Sequence, residues 1–406
     1  MSCKYRTIDK CKMSHVLLIV ALSLFLTHFL DYSKWNSTLG GQLGHVLFIV
    51  IFFLFFLSRD KIRNLKNPFK FELGVFAITP FLTYISQIYI YGESFMVIKL
   101  YSYFLITAIF YVFYIYKYTE REIVKAFVVV AVAIAVIQIV QILFPSLALF
   151  GLGDTTKDLE IRNGLLRYRF TTIYYTTFAL FYFWNKCIIR KNVFFLFMFF
   201  LFVISDYLYL TRQYMAGMLV AILFSMFFIK DRTTKRMTFI LVMAFVFLLI
   251  SYSDSLLSFF VDSTKNDASE DNIRLFAYEF YGQKIIDSPI AFLFGNGFPA
   301  DQEYWQENYS LYVADIGVVG QVFTHGIFWE IAYLSALYKM FWKYRKSIPL
   351  YIKLFALSGF VHCAMVASYG GASTLFTWLS VLYICSQSVT GCQQSEMNNK
   401  VRISNV

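Results

Sequence analysis

DNIRLFAYEFYGQKIIDSPIAFLFGNGFPADQEYWQENYSLYVADIGVVGQVFTHGIFWEIAY (residues 271–333) is a polar-flanked amphipathic segment, a Gly-Asn-Gly turn and a return into apolar sequence. Ser269 or Asp271 can cap a helix in which Ile273, Phe276, Ala277 and Phe280 recur at helical spacing, so this helix is expected to lie on a surface rather than cross a bilayer. Arg274 is placed in its first turn, where a guanidinium and unpaired backbone N–H groups together suit a phosphate. Ser288-Pro289 and Gly295-Asn296-Gly297 punctuate the stretch, and Asp315 to Tyr333 is apolar again, with glycines at 317, 320 and 326.

Outward from this stretch the chain becomes far more apolar. Of 406 residues, 59% are hydrophobic and only 15% charged, too apolar a balance for one soluble core. The net charge of +11 would point to nucleic acid in a soluble protein. Here Lys and Arg gather in short links between apolar runs, as the positive-inside rule requires, and no nucleic-acid partner is expected. Lys4, Arg6, Lys10 and Lys12 precede an apolar run from Val16 without a small-x-small cleavage site, which reads as an uncleaved first span. The six cysteines, at 3, 11, 187, 363, 385 and 392, have no CxxC spacing and none falls in an outer loop, so neither a disulfide nor a cysteine metal site is expected.

With roughly 20 apolar residues per span, about twelve helices are expected. They fall near 15–30, 43–57, 73–91, 95–116, 123–144, 170–186, 193–210, 212–229, 237–252, 312–338, 350–368 and 371–388. Every second link is basic, including 59–70, 117–125, 186–191, 230–236 and 339–353, which puts both termini in the cytoplasm. The expected architecture is an all-α polytopic membrane protein, one membrane domain over 1–406 with no separate soluble module. Residues 145–169 form a first outer loop, and 253–311 a large one carrying the amphipathic helix. Loops of this length are commonly functional.

On that topology several arginines stand out. Arg162 and Arg167 lie in the first outer loop, where a solvated surface is the plainer reading. Arg169 sits beside Tyr168 at a helix mouth. Arg212, in Tyr209-Leu-Thr-Arg-Gln-Tyr between two apolar runs, either faces a cavity or pairs with Asp206. Arginines converging on the outer face suit a diphosphate or another polyanion. Nearby tyrosines can stack on sugars or simply belong to the interfacial belt. In-membrane Lys99 can snorkel outward, and Glu330 can reach the inner interface. Gln138 and Gln141 are expected to bond a neighbouring helix, and His28, His45 and His362 to pack. No DxD, HExxH, Walker or GxSxG pattern is present, so no metal, nucleotide or other cofactor is expected.

Thr211-Arg212-Gln213, Asn272-Ile-Arg274 leading to Phe294-Gly-Asn-Gly297-Phe298, Asp315-Ile-Gly-Val-Val-Gly320 and Gly326-Ile327 together resemble the O-antigen polymerase and O-antigen ligase superfamily. The resemblance covers about residues 160–340 and implies a bacterial inner-membrane glycosyltransferase for O-antigen or capsule. Its substrate would be a polyprenyl-diphosphate-linked oligosaccharide, with a chain-length regulator protein as a further partner. Carried over, Arg212 and Arg274 match the arginines thought to hold the donor diphosphate, and Arg169 matches more loosely. The ligase branch has a loop His before its Gly-rich helix. This chain has Glu307-Asn308-Tyr309 there, which favours a polymerase and leaves the general base open among Asp315, Glu307 and His325.

Asp315 could take a proton from an acceptor hydroxyl or could simply favour a helix start. His325 is expected to be a satisfied interhelical histidine. The rival from another class is a transporter or lipid-linked oligosaccharide flippase, which should hold ionisable residues near broken helices at the membrane midplane.

Overall fold

The computed structural model describes residues 11–26, 49–51, 53, 67–97, 101–144, 159–162, 165–168, 173–209, 212–229, 231–251, 268–365 and 372–404. Its helices are α1 (Met13–Leu26), α2 (Lys70–Tyr91), α3 (Ile109–Ile115), α4 (Glu120–Leu143), α5 (Ile173–Arg190), α6 (Val193–Leu208), α7 (Arg212–Phe228) and α8 (Arg232–Ser251). They continue as α9 (Ala268–Ile286), α10 (Pro289–Phe294), α11 (Asp301–Tyr309), α12 (Gly317–His325), α13 (Ile327–Tyr338), α14 (Leu350–Met365) and α15 (Ala372–Ser404). One antiparallel hairpin, β1 (Leu159–Arg162) and β2 (Leu165–Tyr168), lies in the expected first outer loop and sets Glu160 opposite Arg167. Among the described residues the fold is therefore helical apart from a short β-ribbon that the sequence reading did not anticipate.

Among the described residues three helices are long and apolar enough to cross a membrane: Lys70–Tyr91, Glu120–Val140 and Ser373–Gln393. Met13–Leu26, Val193–Leu208, Gln213–Phe228 and Leu350–Met365 are apolar but shorter. The expected span near 43–57 lies largely outside the described residues, as do His28, His45, Lys99 and Arg169. Large apolar side chains such as Phe71, Ile78, Phe81, Val193, Phe197 and Phe227 are exposed on the helix flanks. Exposed apolar side chains of this kind are compatible with a lipid surround.

At the centre runs α15, whose Leu375, Phe376, Leu379, Val381, Leu382 and Ile384 are fully buried. Around it α7 packs along α14, α5 along α6, and α2 along α13. The helix ends that carry the basic links are gathered together. There His15 and the Lys12 backbone N–H meet Glu122 at 3.0 and 2.7 Å, and Glu122 also closes a capping box with Thr119 at the start of α4. Tyr351 donates to Glu120 at 2.7 Å, Ser386 to Asn67 at 3.2 Å, and Lys353 to the Arg345 carbonyl. Lys339 binds the fully buried Glu72 at 2.8 Å, with Ser335 donating to the same carboxylate. Ahead of α8, Asp231 accepts the Thr234 hydroxyl and N–H, which holds its carboxyl below the usual range.

Two expected spans are broken. Residues 95–116 resolve into 3-10 turns at Phe95–Val97 and Ser102–Ala108 followed by the short α3. Residues 312–338 resolve into a 3-10 turn at Val313–Ile316, then α12, an interruption at Gly326, and α13. Hydropathy sees only an apolar run in either case. The break at Gly326, whose φ is +79°, is made by a contact distant in sequence.

Candidate functional site at the broken helix

That contact is the Gly-Asn-Gly turn. Ser288 caps α10, Pro289 opens it, and the chain then turns through Gly295 and Gly297 at φ of +86° and +71°. The turn enters the gap between α12 and α13. Asn296 N–H donates to the Phe323 carbonyl at 2.6 Å and Gly297 N–H to the Thr324 carbonyl at 3.1 Å, while Gly326 N–H closes α12 on Val322 at 2.9 Å. The carbonyls freed by the break are thus satisfied within protein, the condition for irregular backbone inside an apolar bundle. Only glycine fits: a Cβ on Gly326 would lie 2.3 Å from the Leu293 carbonyl oxygen, and one on Gly297 1.9 Å from the Tyr101 hydroxyl.

The other side of the turn is held by α2. Thr83 donates to the Phe294 carbonyl at 2.5 Å and Ser86 to the Gly295 carbonyl at 2.7 Å. Gln87 accepts from Phe298 N–H at 3.0 Å and donates to the Phe298 carbonyl at 2.8 Å, as a strand partner would. Tyr101 also donates to Gln87, Tyr91 donates to Asn296 Oδ1 at 3.1 Å, and Glu93 links Gln87 to Ala300 N–H. The sequence reading overlooked this anchor, although its signal was present. Thr79, Thr83, Ser86 and Gln87 place a polar stripe on one face of an otherwise apolar span, at helical spacing.

The segment 253–311, expected to lie outside, is therefore not a surface loop throughout. Ala291, Gly295, Asn296 and Gly297 are buried among helices. Its amphipathic helix α9 does pack from one face: Ala277, Tyr281 and Ile285 are buried, Tyr281 stands 4.7 Å from Phe323, and its hydroxyl reaches the Leu311 carbonyl at 2.8 Å. α9 begins at Ala268, earlier than either expected cap, because helical backbone continues through Ser269 and Asp271. Arg274 thus sits in the second turn, about 9 Å along the helix from its first residue, and not among the free N–H groups. It is partly buried and has no ion-pair partner among the described residues.

Arg212 is the first residue of α7, as expected, with its side chain outside what is described. Next to it, Tyr214 stacks on His362 of α14 at 3.7 Å, and a Cβ on Gly317 would lie 2.4 Å from the Ala364 carbonyl oxygen. The start of α7, the end of α14 and the turn carrying Asp315 are therefore neighbours, with α9 packed on that turn and on α12. They lie at the end of the bundle opposite the basic links.

Of the three candidate bases, two are exposed and His325 is set apart from Asp315. Asp315 is exposed at this end and Glu307 is exposed on α11. His325 ends α12, ten residues and about 15 Å of rise beyond Asp315. It is 2% exposed, with Phe104, Phe298 and Trp329 around it, and its Nδ1 has no hydrogen-bond partner. The histidine expected to be satisfied is thus left with one ring nitrogen unpartnered among the described residues. Glu330 likewise does not reach the basic end. It lies in the first turn of α13, nine residues and about 13 Å of rise from Lys339, and is buried with Oε2 unpartnered.

Gln138 does bond a neighbouring helix, accepting from Ser205 at 2.5 Å. Asp206 turns inward to accept the Thr177 hydroxyl at 2.9 Å, and its Oδ1 meets no partner. None of the five described cysteines, at 11, 187, 363, 385 and 392, forms a disulfide with another described residue. No protein-family model matches the chain, and neither a curated protein nor a solved structure matches it.

Proposed function

We propose that the chain is a polytopic glycosyltransferase of the bacterial inner membrane, with about twelve spans and both termini in the cytoplasm. Its reaction extends a surface polysaccharide. A glycan leaves its polyprenyl diphosphate carrier as the hydroxyl of the next lipid-linked repeat attacks the anomeric carbon, and the diphosphate departs with its charge neutralised by arginines. Arg212 and Arg274 are the assigned clamp, with Arg169 as an additional contributor. Asp315 is the best-placed base, since it is exposed on the same end as the start of α7.

The observation that carries this reading is the meeting of separated motifs. The start of α7, the turn before Gly317 and the arginine-bearing α9 all assemble at the end facing away from the basic links. The absence of a loop histidine before α12 favours polymerase over ligase. Helix breaks beside buried ionisable groups favour one second reading, a transporter of lipid-linked oligosaccharide: His325 and Glu330 flank Gly326, and Phe104 of the other interrupted segment packs on His325 at 5.6 Å.

A deletion strain separates these readings. Loss of a polymerase leaves single repeats on the final acceptor and no ladder of longer chains. Loss of a ligase leaves polymer on the carrier lipid, and loss of a transporter traps repeats on the cytoplasmic side. Either of the last two outcomes would replace the polymerase reading.

A further inference from the structure

Part of the segment counted by hydropathy as an outer loop is held at a depth that α2 measures. Glu72, near the start of α2, meets Lys339 at the basic end. Eleven residues on, about 16 Å by helix rise, Thr83 donates to the Phe294 carbonyl at the end of α10. Ser86 and Gln87 hold Gly295 and Phe298 about 21–23 Å from the same end. A bilayer's hydrocarbon core is about 30 Å thick, so a span that starts at the basic end carries these contacts past its midplane without leaving it. Any tilt of α2 brings them nearer the midplane.

What α10 shows at that depth is apolar. Ala291 is fully buried, whereas Ile290 and Phe292 are 36% and 44% exposed. Helical rise keeps both within about 7 Å of Phe294. α10 packs against α2 and α13, and each of these carries an exposed apolar stripe at helical spacing: Ile78, Phe81, Ile85 and Tyr89 on α2, Phe328, Ile331 and Leu334 on α13. The Phe294 ring packs on Phe328 at 5.8 Å, which joins α10 to the stripe on α13. α2 is among the helices long and apolar enough to cross a membrane.

The backbone of α10 also meets what hydrocarbon demands. Pro289 brings no N–H, and the Ala291 N–H takes the Ser288 hydroxyl at 3.3 Å. The Phe292 and Gly295 N–H groups close on the Ser288 and Ala291 carbonyls at 2.9 and 2.8 Å. The Phe294 and Gly295 carbonyls are met by Thr83 and Ser86, so this end offers protein-satisfied groups to its surroundings.

We propose that α10 is a re-entrant membrane element whose Ile290 and Phe292 dock among the acyl chains of the outer leaflet. The chain enters past Asp287, whose exposed carboxylate stays at the polar surface. It returns through the Gly-Asn-Gly turn to α11, which shows Asp301, Glu303 and Glu307 to water.

The inference rests on the membrane placement proposed above and is independent of the glycosyl-transfer reading. Its test places single spin-labelled cysteines at Ile290, Phe292, Phe81 and Asn308 of the otherwise cysteine-free full chain, in liposomes of phosphatidylethanolamine and phosphatidylglycerol. Collision with oxygen, which concentrates in lipid, is compared with collision with a water-soluble nickel chelate. Labels at Ile290 and Phe292 should match Phe81, with high oxygen and lost nickel accessibility, while Asn308 on α11 should show the reverse. In the wild-type chain, which needs no substitution, a photoactivated diazirine carried on a phospholipid chain should label residues 289–294. Nickel accessibility at Ile290 and Phe292 equal to that at Asn308, with Phe81 still in lipid, would overturn the docking alone. Shielding of both positions from both reagents, or a wild-type segment left unlabelled by the lipid probe while α2 is labelled, would overturn it in favour of a protein cover such as a second copy of the chain. Nickel access at Phe81 as well would overturn the membrane placement itself.

Discussion

Gln87 grips Phe298 by both backbone groups, accepting its N–H at 3.0 Å and donating to its carbonyl at 2.8 Å. Gln87 is itself fully buried, so neither bond can be exchanged for water without opening the bundle. Replacing it by Met keeps the volume and leaves both backbone groups of Phe298 without these bonds. The expected cost is about 2 kcal/mol, a factor of about 30 in local opening. Amide hydrogen exchange over residues 295–300 should accelerate accordingly, while α15 is unaffected. Unchanged exchange there would mean that the turn's other bonds, to Thr83, Ser86, Tyr91, Glu93 and the α12 carbonyls, hold it without Gln87.

The glycines divide into those the break requires and those it does not. Gly326→Ala forces a Cβ to within 2.3 Å of the Leu293 carbonyl oxygen at a positive φ, so it should lower the unfolding temperature of the purified protein and reduce its yield. Gly282→Ala, in α9 with nothing within 4 Å of the new Cβ, should be neutral or stabilising by up to about 1 kcal/mol. Equal effects of the two substitutions would contradict the interlock.

How much of this was legible in the sequence follows from which contacts are local. Apolar runs, the Thr119–Glu122 capping box, the Ser288-Pro289 start and the Gly-Asn-Gly turn are written within a few residues of one another, and the helices at 70–91, 120–143, 193–208, 212–228 and 350–365 formed close to their expected bounds. The break at Gly326 was not legible, because it depends on Asn296 and Gly297 arriving from the segment 253–311, more than twenty residues away in the chain. Hydropathy counts side chains and cannot register that a backbone carbonyl has found a donor elsewhere. The polar stripe on α2 was available as spacing, and its meaning emerged only when Phe294, Gly295 and Phe298 were seen against it. Of the expected site, Arg212 at a helix start was legible. Which of Asp315, Glu307 and His325 stands near the start of α7 was not, because the burial of His325 depends on where α12 breaks.

The Lys339–Glu72 pair anchors α13 to α2 at the basic end. Glu72 is fully buried, so Lys339→Met strands a carboxylate and should destabilise by about 3–5 kcal/mol. The double variant Lys339→Met/Glu72→Leu removes both charges and should recover much of that loss in thermal unfolding. A double variant no better than the single would show that Ser335 and the Pro68 carbonyl also depend on the ion pair.

Helix-end segregation makes a topological prediction. Thr234 stands at the end shared with Lys353 and His15, while Asn308 is exposed on α11 at the opposite side of the bundle. In a cysteine-free background, a cysteine at Asn308 should react with an impermeant maleimide in intact spheroplasts, and one at Thr234 only after permeabilisation. The reverse pattern would place the arginines on the cytoplasmic side and remove the reason for a carrier-lipid diphosphate there.

The final prediction addresses the arginines themselves. Arg212 opens a helix, where a guanidinium adds two parallel N–H donors to the positive end of the dipole, while Arg274 stands a turn inside α9 and must act through its side chain alone. If both hold a diphosphate in bidentate fashion, Arg212→Ala and Arg274→Ala should each abolish long-chain glycan at normal protein levels. Lys keeps the charge but loses the fork, so Arg274→Lys should remain nearly inactive, whereas Arg212→Lys should retain more activity because backbone N–H groups share its task. Gel profiles of surface glycan, with membrane protein quantified in parallel, read both effects. Full activity of Arg274→Lys would reduce its role to a diffuse positive charge, and wild-type ladders from Arg212→Ala would remove the start of α7 from the site altogether.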